Sequence, residues 1–329
     1  MVVYVDDISM LNSKDTTKAA IQVKARLPEK YKITDLGSAH QSLRIEIHRE
    51  ENSSATGINL VQKPFITTIL KRFNMQTVHD VSTPMDFNVK LDLAVDQGEK
   101  EQKDIKGYQA IVGSLMYAEL GKRPDISFVV AALCRYNSRL FTSHLHAAKR
   151  VLQYLKSTAN FRLHFSSSSS TNSNNRLTGY TNSDWANDSA DHQSQGGDVF
   201  LLSNGAVSWQ SRKQHLTTMS TLKAKYIARS EGSHQAKWLL QLHRDIHRKD
   251  TSPLLINSDN QGTLSHITTG IIKASTEHVD VSYRNSRDRH TRKMVDYSYA
   301  HTNENVPDIL TKALSKDKYE KFTVAIGLW

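Results

Sequence analysis

Residues 1–11, MVVYVDDISML, run apolar, then acidic, then apolar. That order suits two short strands around a tight turn containing Tyr4-Val5-Asp6-Asp7. Adjacent carboxylates repel each other and are costly unless a cation neutralises them, as a divalent metal does. Nucleotidyl transfer has this need, because two metal ions clamped by carboxylates stabilise the attacking and leaving oxygens. A solvated surface turn can carry the same four residues, so the flanking sequence has to decide between the two.

Working outward, residues 14–27 read as a helix ended by Pro28. LRIEIHRE (43–50) alternates, with Leu43, Ile45 and Ile47 on one face, and GINLVQ (57–62) is its partner strand. KPFITTILKRFNM (63–75) reads as an amphipathic helix with Phe65, Ile69 and Phe73 at helical spacing. Residues 86–104 are polar and aperiodic, a linker or surface loop. Three helices follow over 105–158. The first has the stripe Tyr108, Ile111, Val112, Leu115 and Met116, and Pro124-Asp125 opens the second. Thr142 or Ser143 caps the third, whose stripe is Ala148, Val151, Leu152 and Leu155. SSSSSTNSNN (166–175) cannot bury apolar area and reads as a connector between domains.

The remainder reads as α/β. RLTGYTNSD (176–184) is a strand, and DVFLLSNGAVSWQSRK (198–213) is a hairpin turning at Asn204-Gly205. A long helix over 220–246 contains Gly232 and is expected to break there. PLLINSDN (253–260) is a strand ending in Asp259, KMVDYSYAHT (293–302) is another, and NENVPDILTKAL (303–314) is a final helix.

The chain has 329 residues, enough for two or three domains, with an ordinary globular balance of 38% hydrophobic and 23% charged residues. No apolar run reaches bilayer length, and the first residues lack the basic stretch of a signal peptide. The single cysteine, Cys134, excludes an internal disulfide and a multi-cysteine zinc cluster. It reads as a buried structural thiol in a reducing compartment. The formal net charge of +10 favours nucleic acid as a partner. His144 and His146 point to different faces of one helix and read as surface groups rather than zinc ligands. Trp185, Trp209 and Trp238 read as core. No GxSxG nucleophile motif and no phosphate-loop lysine pattern is present.

The YVDD turn with its apolar flanks resembles the palm hairpin of reverse transcriptases. Further blocks, in order, are similar to the Pol polyprotein of copia-type LTR retrotransposons: KITDLGSAHQSLRIEI, VSTPMD, GSLMYAELGKRPDISFVV, HLHAAKRVLQYLKST, GYTNSDWANDSADHQSQGG, GAVSWQSRKQ, KWLLQL, SDNQGTLSHI and PDILTKAL. The resemblance covers almost the whole chain. It implies an α+β fold: a partial reverse-transcriptase palm and thumb (1–85), a linker and helical connection (86–176), and a ribonuclease H-like α/β domain with a mixed sheet (177–329). It also implies Mg2+ as cofactor, an RNA–DNA hybrid or other nucleic acid and the remainder of a Pol polyprotein as partners, no membrane, and an intracellular location, cytoplasmic or nuclear.

The resemblance also assigns residues. Asp6 and Asp7 are the polymerase metal ligands, and the family's third carboxylate lies well upstream of the YVDD box, so no polymerase activity is expected from this chain alone. The ribonuclease H chemistry uses about four carboxylates and two metals. Here Asn182 follows Tyr180-Thr181 where the family has its first Asp, and Lys225 stands where a helix carries the essential Glu, with Lys223 replacing a second Glu. Asp259 and Asp308 retain the third and fourth acids as catalytic residues and metal ligands, and Asp184 lies on the Asn182 side of its strand as a partial substitute. Lys225 is expected to repel metal and to pair with the remaining carboxylates. Arg44 stands at a usual Gly, Asp198 at an aromatic position, His192 at a usual Arg and Pro307 at a usual Ala. Lys122, Arg123, Lys149, Arg150, Arg212, Lys213 and the run 284–293 are candidate phosphate contacts. The functional readings are an inert reverse transcriptase/ribonuclease H fragment, a hybrid-binding module without catalysis, or a weak magnesium-dependent ribonuclease H through Asp184, Asp259 and Asp308.

Overall fold

The acidic turn forms a hairpin. Strands β1 (Val2–Tyr4) and β2 (Asp7–Ser9) pair antiparallel, Tyr4 opposite Asp7, in a two-stranded sheet of their own. The computed structural model describes residues 2–4, 7–10, 16–52, 55–89, 91, 102–138, 140–168, 176–184, 193–214, 221–247, 253–262, 264, 267 and 280–329. Helix α1 (Thr17–Lys30) buries none of its residues. It runs two residues past Pro28, because the Leu27 carbonyl still accepts the amide of Tyr31 at 3.0 Å and closes the last turn.

A four-stranded antiparallel sheet follows, β3 (Gln41–Ser42), β4 (Ile45–Asn52), β5 (Ala55–Val61) and β6 (Arg162–Ser168), in that order. Leu43 is in the β3–β4 turn rather than in the strand, and both turn residues are left-handed, Leu43 at φ 49° and Arg44 at φ 60°. Glycine adopts that backbone freely and arginine does not, so the Arg44 departure is strained. Strand β6 takes in Ser166–Ser168, read from sequence as connector, because ladder pairing to β5 uses backbone groups that any side chain leaves free. Residues 169–175 lie outside the described residues.

The helices α2 (Lys63–Arg72), α3 (Gln102–Lys122), α4 (Ser127–Cys134) and α5 (Thr142–Ser157) form one packed layer, with a 3-10 turn over Pro124–Ile126. The expected α5 stripe is fully buried, and α3 buries its stripe except Met116, which is exposed. Helix α2 buries Ile66, Ile69 and Leu70, while Phe65 is half-buried against Tyr117. The cap of α5 is Phe141, not Thr142 or Ser143, and its amide donates to His144 Nδ1 at 3.1 Å. His144 is therefore not a surface group. It is buried, stacked on Tyr136 at 3.7 Å with its other ring nitrogen 3.2 Å from the Leu91 carbonyl, and burial lowers its pKa. Cys134 is half-buried.

The C-terminal sheet contains β7 (Thr178–Asp184), β8 (Gln195–Leu202), β9 (Gly205–Lys213), β10 (Leu254–Ser258) and β11 (Val295–Tyr299), in the order β11-β10-β7-β8-β9. The pairs β7·β8 and β8·β9 are antiparallel, and β10 is parallel to both β7 and β11. The β8–β9 hairpin turns on Ser203 (φ 51°) and Asn204 (φ 65°), one residue earlier than read, and Gly205 already pairs with Leu202. Glycine is required at 205 because a Cβ would stand 2.5 Å from the His164 carbonyl oxygen. Helix α6 (Thr221–His247) does not break at Gly232, which lets the helix approach β7: a Cβ there would meet Thr181 Cγ2 at 2.5 Å. Helices α7 (Asp280–Thr291) and α8 (Lys316–Ala325) complete the fold. The expected final helix is instead a 3-10 turn over Val306–Leu310, with Pro307 in its first turn, followed by α8.

The result is the α+β fold with a mixed C-terminal sheet that the resemblance implied. Alternating residues of β8 point to opposite faces. Phe200 packs with Leu239, Leu240 and Ile256 in a core that includes α6. Val199 joins a larger core running from Ile66 of α2 through α3–α5 to Leu310, Phe322 and Leu328. That core crosses the sequence boundaries at 85/86 and 176/177. Residues 326–329 seal it: the Arg162 and His164 amides donate to the Trp329 and Gly327 carbonyls, both at 2.8 Å.

Candidate active site

Strand β7 directs Asn182 inward, and its Nδ2 donates to Asp308 Oδ1 at 2.6 Å. Asp308, on the 3-10 turn, is completely covered. Its Oδ2 accepts from Lys318 Nζ of α8 at 2.6 Å, and its Oδ1 lies 3.1 Å from Lys312 Nζ, one helical turn on. Asp259 follows β10, and Lys225 of α6 reaches across with Nζ 2.7 Å from Asp259 Oδ1. The pairing of Lys225 with a surviving carboxylate is the one that charge alone predicted. Asp184, half-buried at the end of β7, shares this field. Burial raises its carboxyl pKa, Lys312 lowers it, Asp308 raises it and Lys225 lowers it. The structure thus brings Asn182, Asp184, Lys225, Asp259 and Asp308 together. Sequence reasoning missed Lys312 and Lys318. The four-residue step from Asp308 to Lys312 could have pointed to the first, whereas Lys318 arrives from another element.

These residues do not fit a magnesium ion. The amide of Asn182 presents its nitrogen, not its oxygen, to Asp308, and each surviving buried carboxylate already holds an ammonium. Among the described residues no group of three or more His, Cys, Asp or Glu side chains is placed to hold a metal. Asp7 is exposed on β2, and Asp6 lies outside the described residues, so the polymerase pair cannot be described together.

The basic candidates divide. Lys122 and Arg123 are buried and cannot reach a phosphate backbone. The Lys122 amine donates to the Phe161 carbonyl, and burial pushes its pKa down to about 7. Arg123 forms a two-armed bond to Asp125, at 2.9 and 2.6 Å, and also donates to Thr158. Burial opposes its charge, and Asp125 more than offsets that, leaving the guanidinium above its usual pKa. Two residues that looked like a surface patch are buried, and Arg123 with Asp125 forms a sealed internal ion pair, further tied by Tyr154 Oη to Asp125 at 2.7 Å. Lys149 and Arg212 are exposed, Lys213 is half-buried, and Arg150 donates weakly to Thr83 at 3.3 Å. In the run 284–293, Arg289 is buried against His234 and Arg292 pairs with Asp288. Trp238 is 57% exposed, not core, whereas Trp209 is half-buried and donates to Glu119; Trp185 and His192 lie outside the described residues.

A family model described as reverse transcriptase (RNA-dependent DNA polymerase) matches residues 1–87. The whole chain is 32% identical over 333 residues to the retrovirus-related Pol polyprotein from transposon TNT 1-94 of Nicotiana tabacum, covering 24% of that protein. A putative transposon Ty5-1 protein of Saccharomyces cerevisiae is 32% identical over 235 residues, covering 70% of this chain and 71% of the relative. The chain belongs to the copia-type Pol polyprotein family. It spans about a quarter of the length of the tobacco relative. A solved ribonuclease H1, LC11-RNase H1 in complex with an RNA/DNA hybrid, aligns at 11% identity with a TM-score of 0.31, over 41% of this chain and 94% of that one.

Two further positions of this copia-type chain place charge where a core wants none. Asp198 is buried on β8, and burial pushes its carboxyl up to about 7. Arg229 of α6 is buried with Nε and both Nη atoms lacking a hydrogen-bond partner among the described residues, its guanidinium 5.5 Å over the Tyr297 ring. Burial lowers its pKa to about 10. No helix among the described residues is long and apolar enough to cross a membrane.

Proposed function

We propose that this chain is a reverse transcriptase/ribonuclease H portion of a copia-type Pol polypeptide whose ribonuclease H-like half engages RNA–DNA hybrid without hydrolysing it. The observation that carries this reading is the Lys225 ammonium lodged 2.7 Å from Asp259, where hydrolysis would need a carboxylate and a metal. With Asn182 neutral and Asp308 held by two lysines, the site lacks the preorganised field that stabilises transition-state charge. The reading places palm and thumb in 1–85, the connection in 86–176 and the hybrid-handling domain in 177–329. The match of the reverse transcriptase model to residues 1–87 supports the first of these boundaries. The other Pol segments and the hybrid are the partners implied.

The test is cleavage of labelled RNA in an RNA–DNA hybrid with added magnesium. The native chain is expected to leave the RNA intact. The double change Asn182→Asp with Lys225→Glu is expected to raise cleavage about a hundredfold or more over background, the scale of one restored electrostatic group. Cleavage by the native chain would sink the reading.

A further inference from the structure

The cluster around Asp259 and Asp308 sets acids against ammonium groups. Three carboxylates, Asp184, Asp259 and Asp308, face three ammonium groups, Lys225, Lys312 and Lys318. A site lined by acids alone repels a phosphodiester until cations neutralise it. In this chain the neutralising cations are side chains.

We propose that Lys225, Lys312 and Lys318 supply the positive charge that divalent ions supply in an acid-lined site, so that this site seats a phosphodiester of an RNA–DNA hybrid without metal. The inference rests on the non-hydrolytic reading above and adds how the hybrid is held. Each ammonium carries three donors, so one bond to a carboxylate leaves others for phosphate oxygens. The side chains of Lys225, Lys312 and Lys318 keep 19%, 31% and 28% of their surface accessible, while that of Asp308 keeps none. The carboxylates also fix the lysine chains in place, which reduces the ordering cost that a flexible lysine incurs on binding. Beside them opens a cleft of about 290 Å³ lined in part by Asp184, Lys312, Lys213, Arg135 and Gln195.

Fluorescence anisotropy of a short labelled RNA–DNA hybrid with the full chain tests this, once in EDTA and once in magnesium. The native chain is expected to bind equally in both, with affinity falling as salt rises. Lys225→Met is expected to weaken binding several-fold in EDTA, while Lys225→Arg keeps it and controls for folding. The Asn182→Asp, Lys225→Glu variant is expected to bind poorly in EDTA and to recover in magnesium. Native binding that requires magnesium, Lys225→Met binding at full strength in EDTA, or no native hybrid binding in either buffer would overturn the inference. Cleavage in magnesium, read separately on the same samples, bears on the non-hydrolytic reading and not on the binding mode.

Discussion

The chain carries acidic residues in two settings that differ in what surrounds them. On the β1–β2 hairpin, Asp7 is exposed, Val3 and Ile8 beside it are exposed, and the following α1 buries nothing. In the C-terminal sheet, Asp259 and Asp308 are enclosed and each is matched by lysine. The first setting keeps its acids, and its described residues Val3, Asp7 and Ile8 are exposed. The second has full packing and has exchanged the chemistry inside it. Burial is what makes the difference matter energetically, because a charge in water is cheap and a charge in a core must be paired.

That contrast can be broken by substitution. The largest effect is expected at the sealed pair: Asp125→Ala leaves the Arg123 guanidinium buried without its carboxylate and should cost about 3–5 kcal/mol in urea unfolding. Asp198→Asn comes next. Its carboxyl titrates at about 7 in the folded chain against an ordinary 3.8, so the native state binds the extra proton. Stability should therefore rise as pH falls from 7 towards 4, by roughly 1.4 kcal/mol per unit at most. The Asn variant should be more stable than the native chain at pH 8 and should lose that slope; an unchanged slope would remove Asp198 as its source. Arg229→Met removes a buried cation that has no hydrogen-bond partner among the described residues and should raise stability by about 1–3 kcal/mol, seen as a higher Tm. Asp7→Asn should leave Tm where it is, and a clear shift would show that the hairpin is packed after all.

Much of this was written in the local pattern. The period-two run Ile45–Ile47 of β4, the hairpin turn to within one residue of Asn204-Gly205 and the α5 stripe each depend on neighbours in sequence, and each was legible. So was the attraction of Lys225 to a surviving carboxylate, since an ammonium among acids has one low-energy arrangement. The rest depended on tertiary partners. Lys122-Arg123 reads as a surface patch until Asp125, Thr158 and the Phe161 carbonyl close over it. His144 reads as a surface histidine until Tyr136 stacks on it. The serine run gave no hint that its first residues complete a sheet, because the ladder is made by backbone. Lys318 could not be placed on Asp308 without knowing where α8 packs.

The seal made by residues 326–329 has a consequence for how the chain is built. The large core starts with Ile66 and is finished by Ile326 and Leu328, which pair with β6 and β9 residues made much earlier in synthesis. Contacts of such wide separation form slowly. During translation the helical layer must wait, partly open, until the last of these residues has left the ribosome. A premature stop only a few codons upstream of Leu328 would leave that layer without its closing edge, with Leu163 exposed to chaperones and proteases.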